Sequence, residues 1–527
     1  MGRMTKLSLA VLMLASYTAG AQMKSVDDYD KKKLNWYNGG KYGMSTDKAY
    51  DKLLKDKKSE AVVVAVIDSG VDIEHEDLQG SIWVNADEIP GNGIDDDNNG
   101  YIDDVNGWSF LGNPDGEDIE HTQLEMTRLY AMYTKKFDGK TEADIADADK
   151  ADWAEYMEVK AKVEKSREQA EKTIPMVNMM MEKGSAADAN LKKTLGDDYT
   201  VKDLKKYMKK NPEDADAQTM MGIYGQGLSL KALERYAPYF QGQLDYHYNL
   251  ELDERKITGD TPGDFSDVNY GSNNVEGPDA LHGTHCSGII AATRGNGKGN
   301  DGVADNVKIM VLRAVPDGDE RDKDIALSIR YAVDNGAQIC SMSFGKAYSP
   351  YQEEVIAAIR YAEEKGVLLV HAAGNSGMDI GENGNFPSPT YPSMSKEFSN
   401  WIEVGASTRY KKNLAASFSN YSEKHVDIYA PGLEIMSTVP QSEYYETQGT
   451  SMACPMVSGV AALLKGYFPE LTMFQIRDII LKSGQDVSDM ETPLPGDTKM
   501  VPFKALCETG KIANVYNAVE MAMEMAK

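Results

Sequence analysis

Residues 61–68 read AVVVAVID. The run is apolar at every position before Asp68 and rich in β-branched side chains, without the alternation expected of a strand with one wet face. It therefore fits a strand buried on both faces of a parallel sheet, and the acid at its end falls where open α/β sheets place functional groups. Comparable runs are VKIMVLRA (307–314), AQICSMSFG (337–345), GVLLVHAAGN (366–375) and WIEVGAST (401–408). Between them, residues 325–335 and 351–365 carry apolar residues at three- and four-residue spacing, and Gly336 and Gly366 stop the two patterns. This alternation predicts an α/β fold, a doubly wound and mostly parallel sheet with helices on both faces.

One block breaks the rhythm. Residues 113–256 have almost no strand pattern but much Met-rich and charge-rich helical sequence, including VKDLKKYMKK with Val201, Leu204 and Met208 on one face. So long a segment is too long for a structureless loop, which predicts an inserted all-α subdomain. Pro175, Pro212 and Pro238 are expected to separate its helices, and the methionines of MVNMMMEKG to fill its core.

The first residues carry Arg3 and Lys6, an apolar run from Leu7 to Ala15, and the small residues Ala19 and Ala21. The run is shorter than the roughly 20 residues a bilayer span needs, so residues 1–21 read as a signal peptide cleaved after Ala21. Export to the periplasm or the extracellular space follows, with no membrane span afterwards. Residues 22–60 form a short N-terminal extension. A net charge of −27 would repel nucleic acid and anionic membranes. Four cysteines without a CxxC pair are too few for a disulfide scaffold and read as buried thiols.

The chemistry-bearing stretch DALHGTHCSGII (279–290) offers His282, His285 and Cys286, which suit either a zinc site or a histidine base. Further on, QGTSMACPMVSGVAALLKGYF (448–468) places Ser451 in a Gly-Thr-Ser turn before a small-residue helix, where free N–H groups can stabilise negative charge. Taken alone, Ser451 could be a simple N-cap.

Together these blocks resemble the subtilisin-like serine proteases, the subtilases of peptidase family S8. VIDSGVDIEHEDL is similar to the family's aspartate motif, HGTHCSGIIAA to its histidine motif, GTSMACPMVSGVAAL to its serine motif, and AAGNSG to the segment with the oxyanion asparagine. The order Asp68, His282, Ser451 is also that of subtilisin. The resemblance implies Ser451 as nucleophile, His282 as general base and acid, Asp68 as its orienting partner, and Asn375 with the Ser451 N–H as oxyanion donors. It thereby rejects zinc for the histidine cluster, leaving His285 structural and Cys286 and Cys454 as buried thiols near the site. SMSFG resembles the substrate edge, with Ser343, Phe344 and Gly345 pairing with an extended peptide, so broad endopeptidase action on protein or peptide substrates is implied. Asp379 and Glu382, after Asn375, either favour a basic P1 residue or are solvated loop acids, the commoner case.

NGIDDDNNGYIDDVNGW (92–108) reads in the register of an EF-hand loop: Asp95, Asp97 and Asn99 at side-chain ligand positions, Gly100 at the turn, Tyr101 at the carbonyl position, then Asp103. Asn106 stands where the bidentate glutamate belongs, so either Asp104 serves in its place or the affinity is weak; structural calcium is the expected ion, with an ordinary acidic turn as the alternative. Asp77 matches a calcium-supplying position of subtilisins, without a recognisable partner loop. The resemblance divides the chain into catalytic parts at 61–112 and 257–527 around the insertion, with GKIANVYNAVEMA as the family's last helix and no separate C-terminal domain. The usual pro-domain finds no room in the roughly 40 residues before Ala61. The insertion joins the aspartate and histidine motifs, so it is a candidate lid or a peripheral dimerisation element. The rival to an endopeptidase is a catalytically silent scaffold whose insertion binds a partner protein; an esterase or ligase would use the same residues.

Overall fold

Val62, Val64 and Val66 face one hydrophobic core and Ala65 and Ile67 another, which is why their strand reads as an unbroken apolar run. The computed structural model that shows this describes residues 31–526, so the proposed signal peptide lies outside the described residues. In chain order the strands are β1 (Val62–Asp68), β2 (Gly107–Ser109), β3 (Val307–Arg313), β4 (Ile339–Met342), β5 (Leu368–Ala372), β6 (Trp401–Ser407), β7 (Ile428–Pro431), β8 (Ile435–Val439), β9 (Glu443–Thr447), β10 (Gln485–Asp486), β11 (Glu491–Pro493), β12 (Met500–Pro502) and β13 (Lys511–Ile512). Nine of them form one sheet in the order β10-β13-β7-β6-β5-β4-β1-β3-β2. All its pairings are parallel except β10 with β13. The chain leaves β1 for β3 on one side and then crosses to β4 on the other, so the carboxyl end of β1 is a topological switch point. β4 stops at Met342, earlier than the apolar run that predicts it, and Ser343 to Gly345 leave the sheet.

The described residues fall into two compact units, one from His121 to Leu252 and the other from the chain on either side of it. The first is all-helical, with α1 (Glu125–Phe137), α2 (Lys150–Leu195), α3 (Val201–Met208), α4 (Ala215–Gly225) and α5 (Leu230–Gly242) as its main helices. It is narrower than the 113–256 read from sequence because the flanks are tied into the other unit. Asp118 pairs with Arg313 at 2.8 Å, and Arg255 reaches Asp324 at 2.6 Å.

The prolines do not divide the helices as expected. Pro175 lies inside α2 and Pro238 inside α5; of the three, Pro212 alone falls between helices. Pro175 is exposed, as is Glu171, whose carbonyl loses its helical N–H donor. The helix starts are set by caps: Thr200, Asp214 and Ser229 accept the backbone N–H groups of Asp203, Ala217 and Ala232. Leu204 is fully buried, whereas the methionine block is split, Met180 and Met181 packing on the core and Met179 remaining 46% exposed.

In the second unit the main helices are α6 (Leu281–Ala291), α7 (Asp322–Asp334), α8 (Gln352–Lys365), α9 (Thr450–Tyr467), α10 (Met473–Ser483) and α11 (Val515–Met525). α7 and α8 cover one face of the sheet; α6, α9, α10 and α11 cover the other. The extension before β1 packs into that second layer through Tyr37, Met44, Ala49 and Leu54. There the Val515 N–H donates to the Met44 carbonyl (2.7 Å), the Asn514 amide reaches Ser45 Oγ (3.4 Å), and Lys48 Nζ lies 3.4 Å above the Tyr516 ring. Among the described residues no helix is long and apolar enough to cross a membrane.

Candidate active site

β1 delivers Asp68 to the switch point, where its Oδ1 accepts the Ser69 N–H (2.7 Å) and faces His282 Nδ1 at 2.7 Å. Gly283 permits the approach, since a Cβ there would lie 2.2 Å from the Gly70 carbonyl oxygen. Asp68 is 2% exposed and the His282 side chain 39%, so the carboxylate is shielded while the ring meets solvent. Burial disfavours the charged ring, but the Asp68 carboxylate outweighs it and holds the His282 pKa well above the ordinary histidine value.

Ser451 is the second residue of α9. Pro455, four residues on, has no N–H to give to the Ser451 carbonyl, and that carbonyl instead accepts Ser343 Oγ (2.9 Å) and the Cys286 thiol (3.4 Å). Cys286 Sγ also lies 4.0 Å from His282 Nδ1, so one thiol touches both the histidine and the serine segment. The Ser451 hydroxyl donates to the Ser343 carbonyl (3.1 Å), turned toward the predicted substrate edge.

Asn375 follows β5. Its Oδ1 accepts the Thr450 N–H (2.8 Å) and Thr450 Oγ1 (3.0 Å), which leaves Nδ2 as the free end of the amide. A Cβ on Gly449, whose φ is +153°, would lie 3.5 Å from both Asn375 Nδ2 and Ser451 N. These two nitrogens therefore border one small space, kept open by the missing side chain. Thr450 was not singled out in the sequence reading; its place between Gly449 and Ser451 was the available signal.

Ser343 and Phe344 are buried beside α9, and Gly345 is exposed. Phe344 and Gly345 make no backbone hydrogen bond with other described residues, so their polar groups remain available to an added strand. His285 faces away from His282: Nε2 meets the Tyr445 carbonyl at 3.1 Å, and burial lowers its pKa to about 3. Cys454 Sγ donates to the Val370 carbonyl (3.2 Å), and burial raises its pKa to about 12. Both thiols are structural groups in this arrangement. Asp379 caps a short helix through Gly381 N, and Glu382 is exposed, so these acids behave as loop residues.

In the acidic loop, Asp95 accepts the N–H groups of Asn99 (3.0 Å) and Gly100 (2.9 Å), as the first position of an EF-hand loop does, and Gly100 has φ +98°. The structure gathers Asp95 and Asp97 with Glu88, ligand atoms of all three lying within 4.8 Å of one another. Asp103 and Asp104 are not in that group. The Asp103 carboxylate accepts the N–H groups of Gly91, Asn92 and Gly93, while Asp104 is held by Asn85, Asn99 and the Tyr331 hydroxyl. Asn99 Oδ1 accepts the Tyr101 N–H (2.8 Å), and the Tyr101 ring packs on Trp108 and Tyr331. Asn106 turns away to the Trp83 carbonyl. Glu88 precedes the loop and lies outside the register read from sequence; its Oε1 accepts the Asp96 and Asp97 N–H groups and its Oε2 the Asp103 N–H. Asp77 Oδ1 accepts the Asn296 amide N–H (2.5 Å) and Asp77 Oδ2 the Tyr444 hydroxyl (3.3 Å).

A family model described as "Subtilase family" matches residues 59–495. A thermophilic serine proteinase of Bacillus sp. (strain AK1) is 39% identical over 223 residues, 42% of this chain and 49% of that protein. Thermitase of Thermoactinomyces vulgaris is 41% identical over 184 residues, 35% of this chain and 60% of that protein. The chain thus spans about half the length of the first of these relatives.

Proposed function

The chain belongs to the subtilase family, and from that premise we propose that it is an exported serine endopeptidase, stabilised by calcium, that cleaves protein or peptide substrates. What carries the reading is the 2.7 Å contact of Asp68 with His282 beside a serine at a helix start, with the Asn375 amide and the Ser451 N–H bordering one open space.

An extended peptide adds to the edge at Ser343 to Gly345. The Ser451 hydroxyl turns from the Ser343 carbonyl to His282 Nε2, gives up its proton there, and attacks the scissile carbonyl. Asp68 keeps the His282 proton on Nδ1 and stabilises the imidazolium. The oxyanion is held by Asn375 Nδ2 and the Ser451 N–H at the positive end of α9. His282 passes its proton to the leaving amine, and water, activated by the same imidazole, releases the acyl group. The silent-scaffold reading gains no support from this constellation.

Glu88, Asp95 and Asp97 offer hard carboxylate oxygens suited to calcium, and Asn99 and Tyr101 lie in the same loop. A bound calcium would neutralise these acids and fix the loop after β1. The proposal is tested with a fluorophosphonate probe on the purified chain together with casein hydrolysis. Labelling of Ser451 and cleavage of casein are expected; an unlabelled, folded protein would sink the reading.

A further inference from the structure

Phe344 and Gly345 offer their backbone groups to an added strand, yet no ladder of their own holds them in place. Such a stretch has to be fixed from its two ends. At one end Ser343 Oγ donates to the Ser451 carbonyl (2.9 Å). At the other stands Lys346, which exchanges two backbone hydrogen bonds with Phe386 (3.0 and 2.9 Å) and buries its side chain.

Lys346 Nζ meets Asp322 Oδ1 at 2.8 Å and donates to the Glu320 carbonyl (2.8 Å); the Lys346 and Asp322 side chains are 2% and 3% exposed. Asp322 is the first residue of α7, and it also gathers the loop that runs on to α8: its Oδ1 accepts Ser349 Oγ (3.1 Å) and its Oδ2 the Tyr351 N–H (2.8 Å). The next two residues fasten the helix start that carries it. Lys323 Nζ reaches Asp260 Oδ2 and the Thr261 carbonyl, both at 2.9 Å. Asp324 takes Arg255 Nη2 on both oxygens (2.6 Å) and the Tyr270 hydroxyl on Oδ1 (2.5 Å). An ion pair buried this deeply adds little stability over apolar side chains of the same volume, because desolvation offsets the attraction. What it fixes is direction, since each ammonium N–H has to meet an acceptor and an unmet one is costly. Neither Lys346 nor Asp322 has a task in the acyl-transfer steps.

We propose that Lys346, locked by Asp322, is a positioning residue: it sets where Phe344 and Gly345 present their backbone groups, and so governs how much a longer peptide is favoured over a short one. The proposal rests on the endopeptidase reading. It is tested with two p-nitroanilides that end in the same residue, one an acetylated single residue and the other an acetylated tetrapeptide. The bond broken is then identical, and only the length of chain available for pairing differs. The ratio of kcat/KM, long over short, is expected to fall by about three- to tenfold in Lys346→Met, the worth of roughly one backbone hydrogen bond. Asp322→Asn, which removes the charge that locks the ammonium, is expected to lower the same ratio. A merely structural role would slow both substrates alike and leave the ratio unmoved. The wild-type ratio persisting in a folded Lys346→Met, or a wild-type ratio near unity, overturns the proposal. If Lys346→Met fails to fold, Asp322→Asn, which keeps the side chain's volume and an acceptor oxygen, decides by the same criterion. Hydrolysis of neither anilide would overturn the endopeptidase reading itself, a result distinct from cleavage that ignores length.

Discussion

The catalytic unit and the helical unit treat their charged residues in opposite ways. Around the sheet, Asp68, Arg313, Lys323 and Glu403 are almost completely buried, each with partners far away in sequence. In the helical unit, ion pairs such as Lys162 with Glu158 and Lys172 with Glu168 are local, one helical turn apart, and exposed. A buried charge depends on geometry supplied by several elements, so it fails if one partner is lost; an exposed pair has water as a substitute. The charged groups named here are therefore fixed by tertiary contacts in the first unit and left to water in the second, where the Arg128–Glu125 pair is a buried exception.

The sharpest break of that contrast is Ser451→Ala. Turnover of a peptide anilide should fall by a factor on the order of 10⁶, the loss found for the nucleophile of subtilisin, with an unchanged circular dichroism spectrum. Residual turnover above about a thousandth would remove Ser451 from its role.

The pH profile probes the buried partner. His282 must be neutral to accept a proton, so kcat/KM should be lost as pH falls through its pKa, which Asp68 holds above the ordinary 6.5. Asp68→Asn removes the charge responsible, and the acid limb of whatever activity survives should move to lower pH. An acid limb at the same pH in both proteins would separate it from the His282–Asp68 pair.

Glu88→Gln should abolish most of the melting-temperature rise produced by calcium. For a wild-type site at a hundredfold excess over Kd that rise corresponds to about 2.7 kcal/mol. An undiminished rise in the variant would return the ligand role to Asp103 or Asp104.

Replacing residues 121–252 with a Gly/Ser linker addresses the helical unit as a whole. The catalytic unit should fold and label with a serine probe. On the lid reading, cleavage of folded proteins should rise severalfold relative to small peptides, by the order of effect that gating elements produce; an equal change in both leaves a peripheral role. The smallest effect is expected for Lys172→Ala, which should leave the melting temperature unresolved from wild type.

The same contrast explains what could be read from the sequence. β1 and the β3 to β6 runs were legible because strands buried on both faces leave unbroken apolar text, and the candidate residues Asp68, His282 and Ser451 drew attention because they stand in compact motifs, at the end of β1 and near the starts of α6 and α9. β7 to β9 escaped because Pro431 ends the first and Gly432 and Glu434 follow before the second, and because Glu443 and Glu446 break up the third, so no unbroken apolar run marks them. Pro175 and Pro238 misled because propensity yields to tertiary packing along a helix that continues on both sides. Glu88 escaped for another reason. It reaches Asp95 and Asp97 through a folding contact from 7 positions before Asp95, and no local spacing announces it.

A peptidase in solution is surrounded by copies of its own cutter. Its lifetime is then set less by global stability than by how often a segment detaches long enough to be threaded through a neighbour's cleft. Segments near chain ends are ordinarily the first to detach. Here Met44, Ser45 and Lys48 are fastened to the start of the last helix at Asn514, Val515 and Tyr516, so the early and late parts of the chain must peel away together. On the endopeptidase reading proposed above, that mutual clasp would make self-digestion a cooperative event rather than a gradual fraying.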